Sequence, residues 1–114
     1  MDLNLVVLSG KLAAPVELRQ FESGSRLARY LVTIRSEQPK RRVDVIPVAR
    51  WDPPADDRIP EVGEQVWVAG SVQRRFWEAP EGRRSRLEVV AYEVRFIPES
   101  ETAGPAIEKE AVMS

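Results

Sequence analysis

Apolar residues in this chain recur at every second position, in stretches that proline and glycine keep short. Residues 4–12 place Val6, Leu8, Gly10 and Leu12 on one face and Leu5, Val7, Ser9 and Lys11 on the other. Residues 26–35 repeat the pattern with Ala28, Tyr30, Val32 and Ile34. Residues 64–77 set Val66, Val68, Gly70 and Val72 against Trp67, Ala69, Ser71 and Gln73. Residues 86–97 carry Leu87, Val89 and Ala91 on one side, then shift phase after Tyr92-Glu93 to Val94 and Phe96, which predicts a bulge. A period of two is the side-chain repeat of a strand. Residues 43–51 read as a further strand, with Pro47 at an edge or bulge because it cannot donate to a ladder.

The breaks fit the same picture. Pro15, Glu22 to Ser25, Gln38-Pro39-Lys40 and Ala79-Pro80-Glu81-Gly82 carry turn residues. The segment 52–63 (DPPADDRIPEVG) contains three prolines, so one turn from Ala55 to Ile59 is the most helix it allows. Five strands in this order, without internal repeats, predict an all-β fold: a five-stranded OB-fold Greek-key barrel, with an SH3-like barrel as the structural alternative. A long Arg-rich hairpin joins strands four and five.

With 114 residues the chain has room for one domain, taken as residues 1–98, followed by a short acidic tail over 99–114. The tail has Gly104 and Pro105 and no apolar period, which predicts a flexible extension. Histidine and cysteine are both absent, which excludes Ser-His-Asp and Cys-His catalysis, thiol chemistry and the usual zinc sites. The expectation is a binding protein and not an enzyme, with no cofactor and no metal. Asp56-Asp57 reads as a solvated acid pair in a Pro-rich loop. No apolar run approaches the roughly 20 residues of a membrane span, and the first residues lack a basic segment followed by an apolar one. Both point to a cytoplasmic protein without membrane association.

The net charge of −1 conceals an uneven distribution. The tail is acidic and the body is net basic, with arginine far outnumbering lysine. Residues 74–86 (RRFWEAPEGRRSR) hold Arg74, Arg75, Arg83, Arg84 and Arg86 around Phe76-Trp77, and Lys40, Arg41 and Arg42 form a second basic run. Arginines neutralise phosphates and an exposed aromatic offers a stacking surface, so an Arg-rich hairpin carrying Trp77 suits single-stranded nucleic acid. A solvated hairpin whose Trp covers the barrel edge is the plain alternative. Trp51, closing the third strand, reads equally as a stacking or a core aromatic. Trp67 alternates with core positions and points outward. With Leu31, Leu5 and Val7 it suggests a subunit contact, with a lone exposed aromatic as the plain alternative.

Read in order, these residues resemble the bacterial single-stranded DNA-binding protein family. Asn4-Leu5-Val6-Val7-Leu8-Ser9-Gly10-Lys11-Leu12 is similar to the family's N-x-V-x-L-x-G-x-L opening. Pro15 to Arg19 resembles its P-E-x-R segment with one residue inserted, and Arg26 to Arg35 its second strand, with Tyr30 where Phe is usual. Ile46 to Trp51 resembles the stretch that ends in an aromatic, Gly63 with Val66 to Gly70 the G-x-x-V-x-V-x-G strand, and Glu88 to Phe96 the closing strand. The resemblance spans about residues 4–97.

The resemblance implies sequence-independent single-stranded DNA binding in replication, repair or recombination, usually by a homotetramer associated with the bacterial nucleoid. By position it places Trp77 and Trp51 as stacking aromatics, with Arg75 before the hairpin Trp and Lys40, Arg41 and Arg42 tracking the backbone. Three departures stand out. Val43 and Val45 occupy a region where the family often has Trp, which implies fewer stacking platforms and weaker binding or a smaller site. The proline-broken 52–63 segment replaces a helix, which puts closure of that end of the barrel in question. The end Glu110 to Ser114 lacks the family's acidic tip closing in Pro-Phe, so recruitment of repair partners through it is not expected. The alternative is a dimeric interaction module similar to primosomal replication protein N, acting mainly through protein partners. Stacking and phosphate contacts do not distinguish the sugar, so RNA stands beside DNA as a ligand.

Overall fold

The computed structural model describes residues 1–97, and the acidic tail expected over 99–114 lies outside them. Six strands form in chain order: β1 (Val6–Leu12), β2 (Glu17–Gln20), β3 (Arg26–Ser36), β4 (Arg42–Trp51), β5 (Gln65–Ala79) and β6 (Gly82–Ile97). They form one sheet in the order β1-β5-β6-β4-β3-β2, which β1 closes by pairing with β3 through Lys11↔Thr33 and Leu12↔Val32. Five of the strands make the closed barrel. The sixth, β2, follows β1 after the Pro15 break and lies along β3 from Glu17↔Arg29 to Gln20↔Arg26. Sequence reading treats that stretch as a break alone. The chain resumes the sheet after two extra residues have bulged out, so the opening strand is a bent pair.

The alternating faces select the core. Leu12, Ala28, Tyr30, Val32, Val48, Val66, Val68, Val89 and Val94 are buried together, with Val6, Leu8, Ile34, Ile46 and Phe96 packed at their margins. A fully buried residue such as Val32 contributes about 1.5–3 kcal/mol relative to exposure. The phase change in β6 falls where expected: Ala69 pairs with Glu93 but Gly70 with Ala91, so Tyr92 is the extra residue of a bulge. Pro47 pairs with Leu31 of β3, whereas β4 meets β6 only at Val48↔Val89 and Ala49↔Val90. Pro47 thus sits where β4 has parted from β6 and an N–H is not needed there.

Closure at the other end comes from the proline segment. No helix forms over 52–63; one turn links the Asp57 N–H to the Pro54 carbonyl and a second the Glu64 N–H to the Glu61 carbonyl, each at 3.1 Å. Pro53 and Pro60 are nevertheless buried, and the segment covers Tyr30 and Phe96 at the barrel mouth. Its anchors are polar. Arg50 holds Asp57 at 3.0 Å, Arg58 holds Glu64 at 2.6 Å, and the Arg26 guanidinium donates to the Pro53 carbonyl. Asp52, with a positive φ of 50°, accepts from the Arg26 N–H at 2.9 Å. Burial pushes the Tyr30 phenol up, opposed by its hydrogen bond with Arg50. The lid thus replaces helical packing with buried prolines and ion pairs.

Two glycines set how closely strands cross. A Cβ on Gly10 would lie 2.0 Å from the Thr33 carbonyl oxygen, and one on Gly70 would lie 2.1 Å from that of Val90. Both oxygens belong to backbone, which cannot swing aside. Gly10→Ala and Gly70→Ala are each expected to lower stability by about 1–3 kcal/mol, the usual cost of overpacking. Urea or thermal unfolding checks this, and an unchanged midpoint would show that the crossings are looser than described.

Candidate nucleic-acid interface

Register places a row of side chains on one outer surface of the barrel. Glu17↔Arg29 and Arg19↔Leu27 join β2 to β3, while Leu27↔Trp51 and Arg29↔Ala49 join β3 to β4. Ala49↔Val90 carries the row to β6, and Gln73↔Glu88, Arg75↔Arg86 and Trp77↔Arg84 carry it onto the hairpin. Residues two apart on a strand share a face, so these positions form one surface. Arg19, Arg29, Arg75 and Arg86 line a common cleft with Glu17, Leu18 and Leu27. Burial and, next, the neighbouring Arg29 charge push the Arg75 guanidinium down, with Arg86 and Arg19 adding and Glu88 opposing.

Aromatic groups bracket this cleft. Trp51 is 50% exposed and lies against Phe21, with ring centroids 5.7 Å apart. The Arg19 guanidinium covers Phe21 at 5.0 Å. At the other end Arg75 lies over the Trp77 ring at 5.1 Å. A half-exposed aromatic with a guanidinium beside it can take a base on its free face and a phosphate on the cation.

In the middle sits one buried acid. Glu88 is 8% exposed and accepts from Arg29 at 3.1 Å. It shares the outer face with Arg75 and Arg86, and its ion pair with Arg29 ties it to the cluster.

The structure brings Trp51, Trp77, Arg75, Arg84 and Arg86 onto this surface, with Arg84 also paired to Glu81 at 3.1 Å. It separates Phe76 from Trp77. Phe76, Arg74 and Arg83 occupy the hairpin's opposite face, where Arg83 covers Phe76 at 4.7 Å and Arg74 donates to Ser85 at 3.1 Å. The loop leading into β4 is largely self-neutralised. Arg42 makes a two-fold contact with Asp44 at 2.9 Å, and Arg41 approaches Glu37 at 3.6 Å. The Asp44 carboxyl is held below its ordinary value by Arg42. Asp57, one of the acid pair, is committed to Arg50.

Leu5 and Val7 are more than half exposed on the β1 side, and Trp67 lies half-buried on β5 opposite Ser9. Leu31 sits apart from them, lining the edge of the basic cleft with Arg29, Pro47 and Arg86.

Sequence reading missed Arg19, Phe21, Arg29 and Glu88. Their signal was parity: Arg29 faces out of a strand whose even positions are core, and Arg19 follows Glu17 by two.

The chain matches the sequence model of the Single-strand binding protein family over residues 3–97. It is 31% identical over 102 residues to Single-stranded DNA-binding protein 2 of Listeria innocua, covering 83% of this chain and 64% of that protein. It is 32% identical over 102 residues to the Single-stranded DNA-binding protein of Clostridium tetani, covering 83% of this chain and 70% of that one. Among solved structures, a Plasmodium falciparum SSB complex with ssDNA superposes with a TM-score of 0.73 at 16% identity, covering 85% of this chain and 97% of that one. The last likeness establishes the OB-type barrel, and the family match over almost all of the described residues settles the kinship. This chain belongs to the single-strand binding protein family.

Proposed function

We propose that this chain binds single-stranded DNA without sequence preference and without catalysis, on the outer surface formed by β2, β3, β4, β6 and the hairpin. The observation that carries the reading is the convergence of Arg19, Arg29, Arg75 and Arg86 between two aromatic stations, Trp51 with Phe21 and Trp77. The aromatics take bases; Arg19, Arg75 and Arg86 take the phosphates that join those bases, while Arg29 is paired with Glu88 at 3.1 Å. No base-edge reader is needed, because every base has a face to stack. The family match and the names of the relatives support this reading over that of an interaction module of the primosomal N type. They also fit a place in replication, repair or recombination in a bacterial cytoplasm.

Lys40, Arg41 and Arg42 with Arg83 and Arg84 form an outer rim, weakened where Arg41, Arg42 and Arg84 meet Glu37, Asp44 and Glu81. Leu5, Val7 and Trp67 form a contact between copies in a dimer or tetramer. On this reading β1 supplies the apolar surface, since its Leu5 and Val7 are exposed. Leu31 belongs with the basic cleft, so its substitution affects nucleic-acid binding before assembly.

Titration with a short oligo-dT is expected to quench Trp fluorescence. With Arg19, Arg75 and Arg86 as the cations available for phosphate, log K should fall against log[salt] with a slope of about −2. No quench and no retention on single-stranded DNA at low salt would sink the reading. An oligo-U arm reports whether the sugar matters. Trp51→Ala and Trp77→Ala should each weaken binding by about 1–3 kcal/mol, roughly 5- to 150-fold. Unchanged affinity in Trp77→Ala would favour the interaction module. Val7→Asp should reduce the oligomer in light scattering while leaving each subunit's oligo-dT site in place, and an unaltered mass would move the contact elsewhere.

A further inference from the structure

Glu88 is out of place on a surface that collects phosphates. It belongs to the row of β6 positions that face outward, yet it is 8% exposed, and the Arg29 side chain that meets it is 23% exposed. A buried ion pair between neutral neighbours is usually no more stabilising than an apolar pair of the same shape. A carboxylate beside a phosphate path also repels the ligand. Stability and binding therefore both leave the choice of an acid here unexplained.

The surroundings supply a reason. Arg29, Arg75, Arg86 and Arg19 lie within one cleft, and Arg75 is already partly desolvated. Glu88 directly engages Arg29 at 3.1 Å and screens Arg75. Glu17, the acid that lines the cleft itself, is exposed on β2.

We propose that Glu88 sets the grip of the binding surface: its buried carboxylate occupies Arg29, withholds that guanidinium from phosphate, and leaves the cleft with one cation fewer than its arginines would supply. The consequence is a surface that binds single strands and still lets them go as salt or a competitor rises. Glu88 is a positioning residue, since it acts through Arg29 and touches no nucleic acid. This inference rests on the binding reading above, and the tests separate the two.

The readout is the salt slope of oligo-dT binding, which a merely structural acid would not move. Each cation newly available to phosphate steepens the slope by about 0.7 for a single strand. Glu88→Gln, which keeps size and one acceptor, should bind tighter at low salt with a slope steeper than the parent by about 0.7. Arg29→Gln should bind more weakly with a slope at least as shallow as the parent's, because Glu88 then turns to Arg75 or Arg86. The double variant Arg29→Gln/Glu88→Gln removes both charges of the pair together and leaves no uncompensated buried charge. Its slope should equal the parent's, because the withheld cation and its acid leave together. A double variant whose slope is shallower by about 0.7 would show that Arg29 already binds phosphate in the parent, and would overturn the inference even if Glu88→Gln failed to fold. An unchanged slope in a folded Glu88→Gln would overturn it too. Absence of oligo-dT binding by the parent chain would instead overturn the binding reading itself.

Discussion

Two residue pairs, Val48 with Val89 and Ala49 with Val90, are the whole of the β4–β6 seam. Everything else in the molecule is arranged around it. Its inward members, Val48 and Val89, are part of the core. Its outward members are small enough to let the surfaces of β3 and the hairpin meet, and Ala49 is itself 1% exposed. Without the seam, Arg29 on β3 and Glu88 on β6 would lie on distant strands of an open sheet, joined only through β1 and β5. With it they form a buried pair, and the arginines of the hairpin stem join those of β2 and β3. Barrel closure and the basic cleft are therefore one event seen from two sides.

The seam is short because β4 diverges from β6 below it, which is what Pro47 permits. At the opposite end the chain solves a second closure problem with prolines. A helix would cover Tyr30 and Phe96 with an apolar face. Here Pro53 and Pro60 do so, and the polar backbone of an irregular segment is held by arginine contacts to Asp57, Glu64 and Pro53. Hydrogen bonding holds the Glu64 carboxyl below its ordinary value, with the Arg58 contact first and the Glu61 N–H second. A depressed carboxyl stabilises the lid above its unfolded value and loses that contribution as pH falls through its folded one.

Much of the fold was legible because the core is read at period two. Val6, Leu8, Leu12, Tyr30, Val32, Val66, Val68 and Val89 all announce their face by alternation, and the slip after Tyr92 announces the bulge. The short β2 strand was hidden because Pro15 interrupts a strand that then continues. The site was half legible. Composition picked out the hairpin and Trp51, but treated Phe76-Trp77 as a pair, though neighbours on a strand face opposite ways. The basic run at residues 40–42 looked stronger than it is, because Glu37 and Asp44, both visible beside it, neutralise two of its charges. The contact between Arg29 and Glu88 joins residues 59 apart in sequence, and only the seam brings them together.

The central claim is that nucleic acid lies across the surface joining Trp51 to Trp77, and the three tryptophans of the chain report on it directly. The measurement is the shift of their indole N–H signals in a proton–nitrogen correlation spectrum as oligo-dT is added. Trp51 and Trp77 should move together and saturate at the same ligand ratio, while Trp67, on the β1–β5 side, stays in place. Movement of Trp67 with Trp51 and Trp77 unchanged would contradict the claim and put the binding surface on the other side of the barrel.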